Sequence, residues 1–282
     1  MRAAIILLLL LCAWPLQADS QTVQWARTGY PPFFILSGHE AGQGSVDRLV
    51  EHYMQRLPQY SHLLLEASLQ RAFREMQRGL PVCHASLVVS EERKQFMDFS
   101  EANQVQFANG LVILGSRRSL FEPFMDDEGY LDFSSLVTQS TTSIQRVEGR
   151  SYSPEIDLAL KSHSAVPFQV EKGVNRNAVS MLRLLSGFVD GWLARPEEAL
   201  YQARLMGRGD EIAFIPIRQA REFSLARVGC AKGEWNKEFF QQLNAVIRDS
   251  RGEPAQIRAY QRWLPQSLWK KHADLTRQQF TP

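Results

Sequence analysis

The chain has 282 residues, a hydrophobic share of 44%, a charged share of 22% and a formal net charge of +2. That length fits one large or two ordinary domains, and the mix is that of a folded globular protein, which excludes a disordered chain. A net charge so close to neutral gives no footprint for a nucleic-acid or anionic-membrane partner.

In chain order, the first segment differs from the rest. A basic start, Met1-Arg2, leads into an apolar run from Ala3 to Trp14, and "PLQA" ends at Ala18. This is the layout of a secretory signal peptide over residues 1–18. The run falls short of the roughly 20 residues that span a bilayer, which leaves an uncleaved anchor as the alternative. Leu11 precedes Cys12 where a lipoprotein site requires a small residue. No later stretch is apolar enough to span, so the mature chain is expected to act in solution outside the cytoplasm.

"TVQWAR" alternates and predicts a first strand, and "TGYPPFF" a proline-rich loop. Val46, Leu49, Val50, Tyr53, Met54 and Leu57 recur at helical spacing. "HLLLEAS" predicts a short strand. Ser68 caps a helix with a Leu69/Ala72/Phe73/Met76 stripe that stops at Gly79, and "PVCHASLVV" is the next strand. "SEERKQFMDFSE" follows, a charged run holding Phe96 and Phe99, and then a strand in "FANGLVILGS". Further on, "TTSIQRVEG", "AVPFQVEKG", "FVDGWLA" and "FSLARVGCAKG" predict strands; "SPEIDLALKS", "NAVSMLRLLSG" and "NKEFFQQLNAVIRDSRG" predict helices. This alternation argues for α/β architecture with largely parallel sheets, in two units of similar size.

Beyond the leader two cysteines remain, Cys83 and Cys230. An even pair in an exported protein is a disulfide candidate, with two separate buried thiols as the alternative. There is no CxxC and no HExxH-like histidine spacing, so neither a metal site nor a cofactor is expected.

Four features, in order, carry a resemblance. "YPPF" at Tyr30–Phe33 looks like an aromatic loop after a first strand. "LQRAFREMQRG", a strand and "SEERKQFMDFSEA" are similar to a helix–Gly–strand–S-x-x-R signature. "SMLRLLSGFVDGWLA" resembles a second-lobe helix–Gly–x–x–Asp strand. "LARVGCAKG" with its helix, then "QRWLP", resembles a return strand and closing helix. Together they resemble the periplasmic solute-binding proteins of family 3, the polar amino-acid type, from Gln21 to about Pro265. "VEGRSYSPEID", "GCAKGEWNKE" and the paired cysteines are similar to a proteobacterial subgroup of it.

The resemblance implies a two-lobe periplasmic-binding-protein-like fold of type II, each lobe a mostly parallel sheet flanked by helices. The corresponding division is residues 19–114 and 219–265 for the first lobe, 115–218 for the second and 266–282 for a C-terminal tail. It implies a periplasmic, monomeric protein that closes on a small polar solute and serves ABC-type uptake with an inner-membrane permease complex. The lobes are expected to hinge near "FANGLVILG" and "IPIRQAREFSLA". Two alternatives share the fold: a cyclic-acid dehydratase, for which Asp47, Asp190, Glu197 and Glu198 are the available acids, and a periplasmic sensory module acting in trans.

The same resemblance implies the site. Arg93 matches the arginine that grips a ligand carboxylate, a role suited to a forked, always-charged donor. Tyr30 matches a stacking aromatic, and Ser86 a polar contact; Val88 stands where a second hydroxyl is usual. Ser151 and Tyr152 match a loop at a helix N-terminus that faces an anion. Arg195 falls where amino-acid binders carry an acid for the ligand ammonium, which points to a carboxylate or other anion as ligand; a shifted register would put Glu197 or Glu198 there instead. Cys83 and Cys230 fall on adjacent first-lobe strands, within disulfide range. The expected ligand set is therefore Arg93, Ser86, Tyr30, Ser151, Tyr152 and Arg195.

Overall fold

The computed structural model of the chain describes residues 21–147, 152–162, 168–171, 176–220 and 222–280. The leader at 1–18 and Ser151 lie outside them. The first strand, β1 (Thr22–Arg27), buries Trp25 completely, and its indole N–H donates to His62 Nδ1 at 3.1 Å. Helix α1 (Ser45–Arg56) starts at Gly44, where a Cβ would sit 2.3 Å from the Phe33 carbonyl oxygen. Buried Asp47 holds that start: Oδ2 accepts the N–H groups of Ile35 and Gly44, and Oδ1 accepts Arg27 Nε at 2.8 Å. There follow β2 (Ser61–Glu66), α2 (Leu69–Gln77), capped by Ser68 Oγ, and β3 (Val82–Leu87).

The charged run then resolves into two parts. Arg93–Gln95 forms a single 3-10 turn, and Met97 already begins β4 (Met97–Phe107). Lys94 pairs with Glu91 in solvent, while Phe96 stacks edge-on to Phe73. Two residues after β4 comes β5 (Gly110–Leu114). The second unit continues with α3 (Phe133–Gln139), β6 (Ile144–Val147), α4 (Pro154–Ser162), β7 (Phe168–Glu171), α5 (Arg176–Leu185), β8 (Gly191–Ala194), α6 (Pro196–Leu205) and β9 (Ile212–Ile215). The chain returns through β10 (Phe223–Ala231), α7 (Trp235–Ser250), α8 (Pro254–Gln261) and α9 (Trp269–Phe280).

The strands form two five-stranded sheets, in the orders β2-β1-β3-β10-β4 and β7-β6-β8-β5-β9. Each is mixed. The β2-β1-β3 and β7-β6-β8 halves are parallel, as expected from the strand–helix alternation; β10 and β5 run antiparallel to both their neighbours. The reason is chain path: each sheet receives a strand from a direct crossover between the lobes, and that strand enters against the helix-linked ones. Residues 110–114, placed with the first lobe in the sequence division, pair with β8 and β9 in the second sheet. The chain leaves the first sheet at Phe107, whose N–H donates to the Tyr260 hydroxyl. The two crossovers touch where the Ala108 N–H donates to the Glu222 carbonyl at 3.1 Å.

Trp25, Tyr53, Phe239 and Leu243 fill one face of the first sheet; Ala72 and Met76 of α2 cover the other. The second sheet is likewise packed on both faces. The expected tail is largely the helix α9, with Leu275 in the first-lobe core and His272 stacked on Tyr260 at 4.4 Å. Cys83 and Cys230 lie directly opposite on β3 and β10 and are joined as a disulfide, with Cα atoms 4.1 Å apart. Among the described residues no helix is long and apolar enough to cross a membrane, and no group of three His, Cys, Asp or Glu is placed to hold a metal ion.

Candidate functional site

A cavity of about 420 Å³ opens between the ends of the first-lobe strands and the start of α6. Its size is that of a small-molecule site. Tyr30, Ser86, Arg93 and Arg195, separated widely in sequence, all line it. Tyr30 and Phe33 come from the loop after β1, where their rings stack at 5.4 Å and 12°. Ser86 is near the end of β3, Arg93 on the turn before β4, and Arg195 is the residue that enters α6.

Tyr152 is not at the cavity. Its ring is buried in the second-lobe core, and its hydroxyl accepts the Val147 N–H at 2.8 Å. An aromatic side chain that satisfies a strand end in this way packs better inward than over a cleft. Ser151, its neighbour, is among the residues not described. Trp25 belongs wholly to the core.

Each arginine is held by neutral groups. Arg93 donates from one guanidinium nitrogen to the Val88 carbonyl at 2.6 Å and lies over the Phe73 ring at 5.2 Å. Burial draws it below its ordinary pKa, opposed by the nearby Glu92 charge. Arg195 donates to Gln106 Oε1 at 3.1 Å and lies 5.8 Å from the Phe33 ring centre. The Gln106 amide nitrogen donates in turn to Ser86 Oγ and Gln104 Oε1, both at 2.8 Å. That chain of bonds fixes which end of the amide faces Arg195.

His84 closes the floor. The Ser86 N–H donates to its Nδ1 at 3.2 Å, so the ring proton sits on Nε2, 3.3 Å from Thr28 Oγ1. Burial first, and the Arg93 charge second, lower its pKa to about 3, so the ring is neutral.

The acids lie elsewhere. Asp47 pairs with Arg27, and Asp190 pairs with Arg117 at 2.6 Å. Glu198, fully buried, accepts the Tyr30 hydroxyl and, at 3.4 Å, the Asn177 amide. Glu197 is also fully buried; burial drives its pKa up to about 8 against the pull of Arg195. Among the described residues no carboxylate lines the cavity. Gln106 and His84 were not singled out by the sequence. The amide-rich stretch Asn103–Gln104–Val105–Gln106, polar yet buried within a strand, is the signal for Gln106.

No protein-family model matches the chain, and no curated protein sequence does. Solved structures do. The probable amino-acid ABC transporter extracellular-binding protein YtmK of Bacillus subtilis superposes with a TM-score of 0.67 at 14% identity, over 88% of this chain and 100% of that one. A structure from work on glutathione import via GshT and the cystine importer TcyBC of Streptococcus mutans gives 0.63 at 13%, over 89% and 99%. An amino acid ABC transporter substrate-binding protein of Streptococcus pneumoniae bound to L-arginine gives 0.58 at 16%, over 90% and 94%. At such identities the likeness establishes architecture, and the two sheets, the paired crossovers and the cavity between them agree with it: the chain has the two-lobed α/β fold of the substrate-binding proteins of amino-acid ABC transporters.

Proposed function

We propose that the protein is a periplasmic substrate-binding protein that captures a small polar, carboxylate-bearing solute between its lobes and delivers it to an ABC-type inner-membrane permease. The observation that carries this is the convergence of Arg93, Ser86 and Tyr30 of the first lobe with Arg195 of the second on one cavity. A forked guanidinium, a hydroxyl and an aromatic face together suit a planar carboxylate on a small organic frame. The structural neighbours named above bind solutes for ABC transporters, which supports the same role here. The leader-like residues 1–18 and the Cys83–Cys230 disulfide suit an oxidising compartment outside the cytoplasm. The lobes turn about the two crossovers, at Ala108–Asn109 and at residues 216–220 with Glu222, and ligand shifts the population toward the closed form.

A thermal-shift screen of amino acids, carboxylic acids and short peptides tests this reading, since a ligand that binds only the native state raises its stability by mass action. At least one carboxylate-bearing compound is expected to raise Tm. The Arg93→Ala variant is expected to weaken that compound about 10- to 100-fold, the worth of one charge-assisted hydrogen-bonded pair. Silence across the whole panel refutes the role; an unchanged Kd for Arg93→Ala refutes the anchor.

A further inference from the structure

The two arginines have a consequence for the ligand's charge that rests on the solute-binding reading. They come from different lobes, Arg93 from the turn before β4 and Arg195 from the start of α6, and both line the same cavity. Neither has a carboxylate within ion-pair distance among the described residues: Arg93 is held by the Val88 carbonyl and Arg195 by the Gln106 amide oxygen. The acids nearest in sequence form no ion pair with either arginine. Glu92 is exposed beside the turn, and Glu198 is taken up by Tyr30 and Asn177. Glu197 is buried and held toward its neutral form by desolvation. His84, also at the wall, is neutral. The cavity lining therefore carries two guanidinium groups and, among the described residues, no carboxylate.

We infer that the ligand is a diacid without an ammonium group, one carboxylate held by Arg93 and the other by Arg195. A monocarboxylate would leave Arg195 facing no anion. A zwitterionic amino acid would set its ammonium against a guanidinium in a space that closure dries, where like charges are costly. A diacid answers both charges and ties one lobe to the other, so its second carboxylate contributes directly to closure. Gln106 is a positioning residue here. Its amide nitrogen is committed to Ser86 and Gln104, so only its oxygen can face Arg195, and a neutral acceptor leaves the guanidinium's charge available to ligand.

The test is titration calorimetry of the purified protein with succinate, glutarate, butyrate, L-glutamine and L-arginine. Succinate or glutarate is expected to bind at least 10-fold more tightly than butyrate or either amino acid, and to weaken as salt is raised. Arg195→Gln is expected to weaken the diacid at least 10-fold while changing butyrate less than threefold. Arg195→Lys keeps the charge without the fork and is expected to fall between them; it carries the comparison if Arg195→Gln does not fold. Tighter binding of L-glutamine or L-arginine than of both diacids overturns the inference and leaves the solute-binding role standing, as does indifference of the diacid to Arg195→Gln or Arg195→Lys. Binding of neither diacid overturns it as well, and if no compound of the wider thermal-shift panel binds, the solute-binding role falls with it.

Discussion

Arg93 and Glu197 show how differently two charged residues fare in one protein. Arg93 sits on a turn, where its stem is half-buried and its fork reaches a cavity. Glu197 stands one residue beyond the helix's first proline, where an acid ordinarily meets solvent and a favourable helix end. Here packing removes all of its exposure, and desolvation raises its pKa to about 8. A raised carboxyl pKa gives stability that is complete below the unfolded value and declines as pH climbs toward the folded one, a window from about 4.5 to about 8. Glu197→Gln is therefore expected to shrink the fall in Tm between pH 5 and pH 8, by removing a penalty of a few kcal/mol at the alkaline end; scanning calorimetry of both proteins checks it. His84 and His272 act in the opposite sense. Burial lowers them to about 3 and about 4, so their contribution is present above 6.5 and is lost as pH falls through that range.

At the scale of elements, α6 is the piece that joins the lobes. Residues Pro196 to Ala203 are all buried, although the stretch carries two glutamates and a glutamine. One side packs on the second sheet. The other presents Tyr201 to Trp263 and Ile35 of the first lobe, with the Tyr201 and Trp263 rings 5.6 Å apart and nearly edge-on. Arg204 adds a bond to the Arg262 carbonyl at 2.6 Å. Tyr201→Ala removes the apolar contact between the lobes and costs on the order of 3 kcal/mol of stability. It is also expected to open the unliganded protein, read as a larger radius of gyration in solution scattering, and to weaken ligand about 3- to 10-fold by depleting the closed population. The sequence does not announce this helix: Glu197 and Glu198 stand out only as candidate acids, and contact between the lobes makes the stretch interior. The start of β4 is hidden for the same kind of reason. Within the charged run Asp98 accepts the Asn236 amide and Ser100 Oγ accepts the Val228 N–H, so the run ends in a paired strand.

Across the whole molecule, the Cys83–Cys230 bond spans a sequence separation of 147 and encloses the second lobe. It ties the first strands of the first lobe to the strand that returns after the excursion. Closing so long a loop in the unfolded chain is worth about 5 kcal/mol in the chain-entropy account. The Cys83→Ala/Cys230→Ala double variant is expected to lose about that much in urea unfolding. Thiol titration of the native, unreduced protein is expected to find neither cysteine free; two reactive thiols would remove the bond from the account.

The two α/β units, the turn bearing Arg93, the cap at Ser68 and the pairing partners Cys83 and Cys230 are legible in the chain itself. The units, the turn and the cap depend on periodicity and turn chemistry within a few tens of residues, and tertiary context does not reverse such local preferences when every level agrees. The cysteines, 147 apart in sequence, are legible only as an even pair in an exported chain and through the family resemblance. Strand direction in β5 and β10, the burial of α6 and the inward turn of Tyr152 are not legible there. They follow from which sheet a strand joins after a crossover and from which surfaces meet when two lobes pack. The same holds for the cavity: Arg93 and Arg195 are about a hundred residues apart in sequence, and they line one small cavity only because two sheets and one bridging helix bring them together. Residue type and local pattern are properties of the sequence, whereas proximity and exclusion of water belong to the packed molecule.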